Sequence, residues 1–542
     1  MPAVVGQPTI RFPKGPTPTK SVPVKKPPSP ARINGLTPAL RRYLAATAGV
    51  TGGAIMIIEI LGAKMLAPYI GTSHFVWTAQ IGVTLVALMT GYAVGGRIAD
   101  RSPQLRWLFG AILLAAVSLT VTVLVVERVA YACLAFELAM GSLLASAALF
   151  FLPLALLATV PPFLVRMLTA SLETVGTSAG RLSAISAGGS VIGTVLIGYV
   201  LIPFLPNAVT MYATAGLLML MAVAYFAVWE RGHLPPAILS GLVAAGIGFV
   251  GVAQPSLAQP PGLTEVYRRN SDFGLMQVVE DTSGRRYYLN DLLTQNSYLP
   301  ATRQSAALFT HMLHGLAKVY TPAIREALCV GMGVGIVPMQ LAREGVAVDV
   351  VEINPDVVPL AERFFDFDRS KVNLTIGDGR YFVARTTARY DTIILDAFLG
   401  ESPPSHLMTC EALSAMKTRL KPGGTLVMNM FGEFASGRDF FVASLDRTLR
   451  EVFPSVRVHA AGNGNTFFVA SAGPALAFLR EPDLEGVPTS LRWRVEAAYA
   501  GQPRIDSTHG RVLTDAFNPV DFYDAANREE LRKQLANASR AE

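Results

Sequence analysis

The sequence predicts two unlike halves: a multi-pass α-helical membrane domain, then an α/β domain built on a doubly wound, mostly parallel sheet. Three observations predict this. Residues 43–254 contain seven long apolar runs and few charges, whereas the chain from 262 onward has an ordinary density of Asp, Glu, Lys and Arg. That second half alternates strand-like and helix-like patterns. A cluster of glycines falls at one strand–helix junction, and carboxylates end the strands that follow. The 51% hydrophobic share, set against only 16% charged residues, fits an apolar block joined to a globular one.

Residues 1–42 form a Pro-rich tail with eight basic side chains (Arg11, Lys14, Lys20, Lys25, Lys26, Arg32, Arg41 and Arg42) and no acidic ones. Such a stretch buries too little apolar surface to fold and is expected to be disordered. A cationic segment before an apolar helix reads as a topology signal held at the cytoplasmic face by anionic lipid. A single aromatic, Phe12, lies among the charges, too few for base stacking, so nucleic acid is not an expected partner. Cys133, Cys329 and Cys410 lack CxxC or His spacing, and neither a disulfide framework nor a zinc site follows.

A helix needs about 20 apolar residues to cross the hydrocarbon core. Segments near 44–66, 75–96, 107–126, 141–164, 183–205, 209–229 and 236–253 qualify. The first lies far from the start and has no cleavage site, so it reads as a span and not a signal peptide. Ser186, Gly188, Gly189, Gly193 and Gly198 allow helices to approach closely in lipid. Glu59 lies inside the first span, either as a functional site between helices or as a structural pair with a base such as Lys64. The turn Gly96-Arg97-Ile98-Ala99-Asp100-Arg101 resembles a short basic loop of major-facilitator transporters, but seven spans fall short of that fold.

The second half opens with a hairpin, Gly274–Glu280 and Arg286–Leu289 around Thr282-Ser283-Gly284, and a helix over 301–318. Strand Ala327–Val330 then leads into Gly331-Met332-Gly333-Val334-Gly335, a helix over 336–344, and a second strand ending at Glu352. Glycines here let the backbone turn tightly and approach a ligand. Glu352, 21 residues after Gly331, is placed to accept the two hydroxyls of a ribose. Gly377-Asp378-Gly379 follows the third strand, and Asp396 ends the fourth, so these groups share the ligand-binding edge of the sheet. His311 and His314 lie three apart, but no carboxylate or cysteine completes a metal ligand set. No Gly-x-Ser-x-Gly elbow is present. His406 reads either as lining the site entrance or as capping the helix that follows it, the second being favoured.

Val351-Glu352-Ile353-Asn354-Pro355, Gly377-Asp378-Gly379, Tyr390-Asp391-Thr392-Ile393-Ile394-Leu395-Asp396 and Leu420-Lys421-Pro422-Gly423-Gly424 resemble the core of the spermidine/spermine synthase family over about 265–475. The hairpin and Asp291…Gln295 resemble that family's small β-domain. Glu59, Ala67-Pro68, Trp77 and Gly91-Tyr92 resemble proteins in which a membrane region is fused to such a domain. The resemblance implies a Rossmann-like, methyltransferase-type fold over 262–500 and a C-terminal extension over 501–542. In that extension, Leu513-Thr514-Asp515-Ala516-Phe517-Asn518-Pro519 matches the fused proteins without an evident role.

By the same resemblance, Glu352 binds the ribose of decarboxylated S-adenosylmethionine and Asp378 accepts from the adenine amino group. Gln295 reaches the nucleoside from the β-domain, and Gly331, Gly333, Gly335 and Gly379 complete the cradle. Asp396 is the general base or orienting acceptor for the attacking amine. No metal is implied, the partners are a small amine and the bilayer, and the assembly is open between monomer and homodimer. Three departures bear on the acceptor. Val334 replaces the family's Asp between glycines, Ala397-Phe398-Leu399-Gly400 replaces a run with a second carboxylate, and Phe309 stands for a Tyr. Glu401 and Glu433 are candidate substitutes. Two other functions stay open: an S-adenosylmethionine-dependent methyltransferase, and a transporter or sensor regulated by nucleoside.

Topology poses a conflict. Seven spans place the tail, the Arg97/Arg101/Arg106 loop, the Arg166–Arg181 loop and Arg231 on one side, which is cytoplasmic by charge, and the C-terminal domain on the other. A nucleoside made in the cytosol favours the cytoplasmic face of the cell membrane for that domain. This requires a further membrane segment, expected within 127–140.

Overall fold

The computed structural model describes residues 36–71, 74–169, 175–253, 262–398, 404–461, 464–524, 527 and 530. The basic tail up to residue 35 and the loop with Glu401 lie outside them. Each predicted apolar segment forms a helix: α1 (Pro38–Ile70), α2 (His74–Arg101), α3 (Leu105–Cys133), α4 (Leu138–Leu168), α5 (Val175–Leu201), α6 (Asn207–Trp229) and α7 (Leu234–Ala253). Among the described residues, the first six are long and apolar enough to cross a membrane. α4 is irregular, with π-type turns over Ala147–Phe151 just before Pro153. A proline cannot donate the usual i→i−4 bond, and the chain rewinds locally around it.

Residues 127–140 hold no additional pass. They finish α3, turn through 134–137 and begin α4. Gly53 of α1 packs on Gly189 and Gly193 of α5 so closely that a Cβ on Gly53 would stand 2.9 Å from the Gly189 carbonyl oxygen. This is the small-residue packing expected of Gly189 and Gly193, whereas Gly188 and Gly198 face open space. Glu59 is half-buried and makes no ion pair with Lys64 among the described residues. Positions five apart lie about 140° apart around a helix, so a pair with Lys64, one of the two readings of Glu59, is off-face.

The second half begins with a five-stranded antiparallel sheet in chain order: β1 (Leu263–Ser271), β2 (Gly274–Asp281), β3 (Arg286–Asn290), β4 (Leu293–Leu299) and β5 (Gln304–Ser305). The predicted hairpin is β2–β3. The flanking strands alternate less clearly and were not expected. The helix expected from residue 301 starts later, as α8 (Leu308–Tyr320), because 304–305 pair with β4.

The larger sheet contains β6 (Glu326–Val330), β7 (Ala347–Glu352), β8 (Asn373–Ile376), β9 (Tyr390–Leu395), β10 (Leu420–Phe431), β11 (Ser455–Ala460) and β12 (Asn465–Ser471) in the order β11-β12-β10-β9-β6-β7-β8. Its first five strands are parallel, and β12 and β11 close it antiparallel. The helices are α9 (Ile336–Arg343), α10 (Val357–Phe364), α11 (Gly379–Arg385), α12 (Cys410–Arg419), α13 (Phe440–Val452), α14 (Thr489–Ala500) and the single turn α15 (Val520–Tyr523). Apolar clusters cover both faces of the sheet, one including Met312, Leu316, Val350 and Val427, the other Ile393, Met428, Leu445 and Phe468. This two-sided burial explains the near-continuous apolar runs of β6, β7 and β9.

The two halves touch at one end of the helical block. The Asn270 side chain of β1 donates to the Leu205 carbonyl at 2.9 Å, and the Phe522 ring lies near His74 and Phe75 at the start of α2.

Candidate active site

The crossover order puts the ends of β6, β7, β8 and β9 beside one another, where open parallel sheets hold ligands. The Gly331 N–H donates to the Val351 carbonyl at 2.9 Å, and the Asp396 N–H donates to the Val330 carbonyl at 3.0 Å. Gly331 has φ +88°, and a Cβ there would run into the Asp396 main chain, so only glycine fits. Above these strand ends lies a cavity of about 580 Å³, lined from the β-domain as well as the α/β domain.

Of the residues singled out in the sequence, Gln295, Gly331, Gly333, Glu352, Asp378, Gly379 and Asp396 all line the cavity. Gly335 does not. It stands at the N-terminus of α9 with φ +81°, against the Phe367 ring, and its glycine is a packing requirement.

Glu352 is 8% exposed, and its two oxygens accept the N–H groups of Met332 at 2.9 Å and Asn354 at 2.8 Å. Burial pushes its pKa up, against the pull of these donors. The carboxylate is therefore locked in place by main-chain donors. Asp378 caps α11, one oxygen accepting from the Tyr381 N–H at 2.7 Å, while the other meets His406 Nε2 at 3.0 Å.

His406 is thus not a helix cap. Thr409 caps α12, and His406 lines the cavity against Asp378. The Leu513–Pro519 motif holds this segment. Asp515 pairs with Arg380, Arg380 also donates to the His406 carbonyl at 3.0 Å, and the Asn518 amide donates to the Ser405 carbonyl at 2.9 Å.

Asp396 lies at the cavity floor. Burial raises its pKa to about 6, a hydrogen bond from Asn429 opposes that rise, and the nearby Glu352 charge adds to it. The Asn429 amide donates to Asp396 Oδ1 at 2.9 Å, and the Asn465 amide donates to Asn429 Oδ1 at 3.1 Å. Sequence reading missed both asparagines, which carry no motif beyond their place at the ends of β10 and β12. It also missed Asn296 and Arg494, which line the cavity. Val334 is fully buried, Ala397, Phe398 and Phe309 line the cavity, and Glu433 is exposed and outside it. Among the described residues no group of three His, Cys, Asp or Glu side chains could hold a metal.

A glycine loop, a fixed carboxylate at the second strand end and a buried carboxylate at the fourth define an α/β domain with a ligand cavity at its strand ends. Residues 307–462 match the Spermine/spermidine synthase domain family. The chain is 40% identical over 226 residues to the polyamine aminopropyltransferase of Vibrio vulnificus, covering 38% of this chain and 71% of that one. It is 26% identical over 266 residues to the N-terminal histidine N-methyltransferase of Emericella nidulans, covering 45% of each. A spermidine synthase crystallised with the transition-state analogue AdoDATO is similar over 45% of this chain and 86% of its own, at 21% identity and a TM-score of 0.37. The chain belongs to the spermine/spermidine synthase family and is a transferase of the EC 2.5.1 type.

Proposed function

We propose that the protein transfers an aminopropyl group from decarboxylated S-adenosylmethionine to an amine at this cavity. The observation that carries the reading is the meeting of Glu352, Asp378 and Asp396 around one cavity, with Asp396 poised to titrate near neutrality. Glu352 takes the ribose hydroxyls, Asp378 with His406 bounds the adenine end, and Gln295 closes the site from the β-domain. The amine lone pair attacks the propyl carbon bound to the sulfonium. The C–S bond breaks with its electrons going to sulfur, a neutral methylthio-nucleoside leaves, and the new ammonium gives a proton to Asp396. The sulfonium is already an activated leaving group, so the protein's work is alignment and removal of one proton.

A second reading, methyl transfer from intact S-adenosylmethionine, is favoured by Val334 in place of an acid and by the methyltransferase among the relatives. Supplying the full-length protein with each nucleoside and an amine panel, and identifying the nucleoside product, separates them. Methylthioadenosine supports aminopropyl transfer, and S-adenosylhomocysteine overturns it.

The six long apolar helices, with α7 as a seventh pass, support anchoring in the cell membrane with the bilayer as partner. The ends of these passes that carry Arg41, Arg101, Arg166 and Arg231 fit the cytoplasmic side. A seventh pass then leads to the opposite face, the face on which His74 and Leu205 meet the catalytic domain. An even count, which a cytoplasmic catalytic domain requires, has no support in residues 127–140. A compartment-specific reporter fused to the C-terminus reads the side directly.

A further inference from the structure

Beyond the groups assigned above, the cavity contains a charge that no described residue balances. Arg494, on α14, lines the cavity half-buried and makes no hydrogen bond or ion pair among the described residues. Several other arginines of the domain have an acidic partner, Arg286 with Glu280, Arg369 with Glu362, Arg380 with Asp515 and Arg450 with Asp446. A guanidinium in a cavity wall is a ready partner for a planar anion, which it can grip with two parallel N–H bonds.

The rest of the lining bears on which anion. The carboxylates among the described lining residues are Glu352, Asp378 and Asp396. Glu352 is bound to two backbone N–H groups, Asp378 is shared between the α11 terminus and His406, and Asp396 is held by Asn429. Around them stand Phe398, Phe431, Leu491 and Asn465, all neutral. A diamine bound with one nitrogen at Asp396 would find no free described carboxylate for its second ammonium, and Arg494 would repel it. An acceptor with an amine at one end and a carboxylate at the other meets complementary groups at both ends. The aminopropyl donor has no carboxylate of its own.

We propose that Arg494 binds a carboxylate on the acceptor, so that the amine substrate is a zwitterion of the amino-acid or ω-amino-acid class and not a simple diamine. This rests on the aminopropyl-transfer reading. The bonds made and broken are those given above, and the carboxylate is a spectator that sets which amine is aligned.

The test measures methylthio-nucleoside release by the full-length protein in nanodiscs, with decarboxylated S-adenosylmethionine and paired acceptors of equal length, a diamine and the matching ω-amino acid. The wild type is expected to prefer the amino acid. Arg494→Ala should lower kcat/KM for it by about 10- to 100-fold, the range for a charged hydrogen-bonded contact, and leave the diamine unchanged or improved. Arg494→Lys should keep part of the preference, and Arg494→Glu should reverse it. A wild type that prefers diamines, with a ranking blind to residue 494, overturns the proposal. Weakened binding of intact S-adenosylmethionine in Arg494→Ala with an unchanged amine ranking also overturns it, because the carboxylate then belongs to the cosubstrate. Should no amine release the nucleoside, the transfer reading itself fails. Equilibrium binding of the ω-amino acid to nucleoside-loaded protein then decides: loss in Arg494→Ala upholds the contact, and no binding by the wild type overturns it.

Discussion

Replacing Asn429 with Leu should move the acid limb of the pH–rate profile upward without abolishing the reaction. Asp396 must be ionised to accept a proton, and its pKa is raised to about 6, chiefly by burial. For a base, activity is lost as pH falls through that value and is full above it. The Asn429 amide, 2.9 Å from Asp396 Oδ1, stabilises the ionised form. A hydrogen bond to a charged group is worth about 1.5–3 kcal/mol, and each pKa unit corresponds to about 1.4 kcal/mol, so its loss shifts the limb up by about one to two pH units. At pH 7 the wild type is about nine-tenths ionised and the variant between about half and one-tenth, a loss of roughly two- to tenfold that alkaline pH restores. The assay is kcat/KM for the nucleoside between pH 5 and about 9 in the full-length protein. An unmoved limb, or a loss that alkaline pH does not recover, would refute the assignment of Asp396 as the titrating base.

Asp396→Asn should cut kcat by about 10²- to 10⁴-fold, the usual contribution of a positioned base, with the nucleoside KM little changed; steady-state kinetics checks this. Asp515→Asn removes one charge from the pair that steadies Arg380 and, through it, the His406 segment. Its nucleoside KM should rise several-fold while kcat holds, and an effect on kcat alone would contradict a positioning role. Gly331→Ala combines a forbidden φ with a clash against the Asp396 main chain, so nucleoside binding should be lost in calorimetry even if the protein still folds.

What the sequence made legible is what local pattern encodes. The seven apolar runs gave all seven helices, and strand ends placed Glu352, Asp378 and Asp396 together, since a parallel sheet puts successive strand ends on one edge. Contacts made across long separations were not legible. Asn429 reaches Asp396 over 33 positions and Asp515 reaches Arg380 over 135, and neither spacing leaves a periodic trace. Arg494 sits on a helix outside the strand–helix alternation, so no motif singled it out. His406, just before a helix, admits both a cap and a site-entrance reading; Thr409 is the nearer capping residue, and the imidazole is free to meet Asp378. Gly335 shared the look of its neighbours in the glycine loop but serves packing against Phe367.

The most direct test of the central claim is calorimetric titration of full-length Asp396→Asn and Glu352→Gln proteins with decarboxylated S-adenosylmethionine. The former should bind with wild-type stoichiometry and affinity and turn over about 10²- to 10⁴-fold more slowly, while the latter should lose most of its affinity, because an amide sets a donor against the Met332 or Asn354 N–H. Wild-type affinity in Glu352→Gln, or no binding by any form of the protein, would contradict the account.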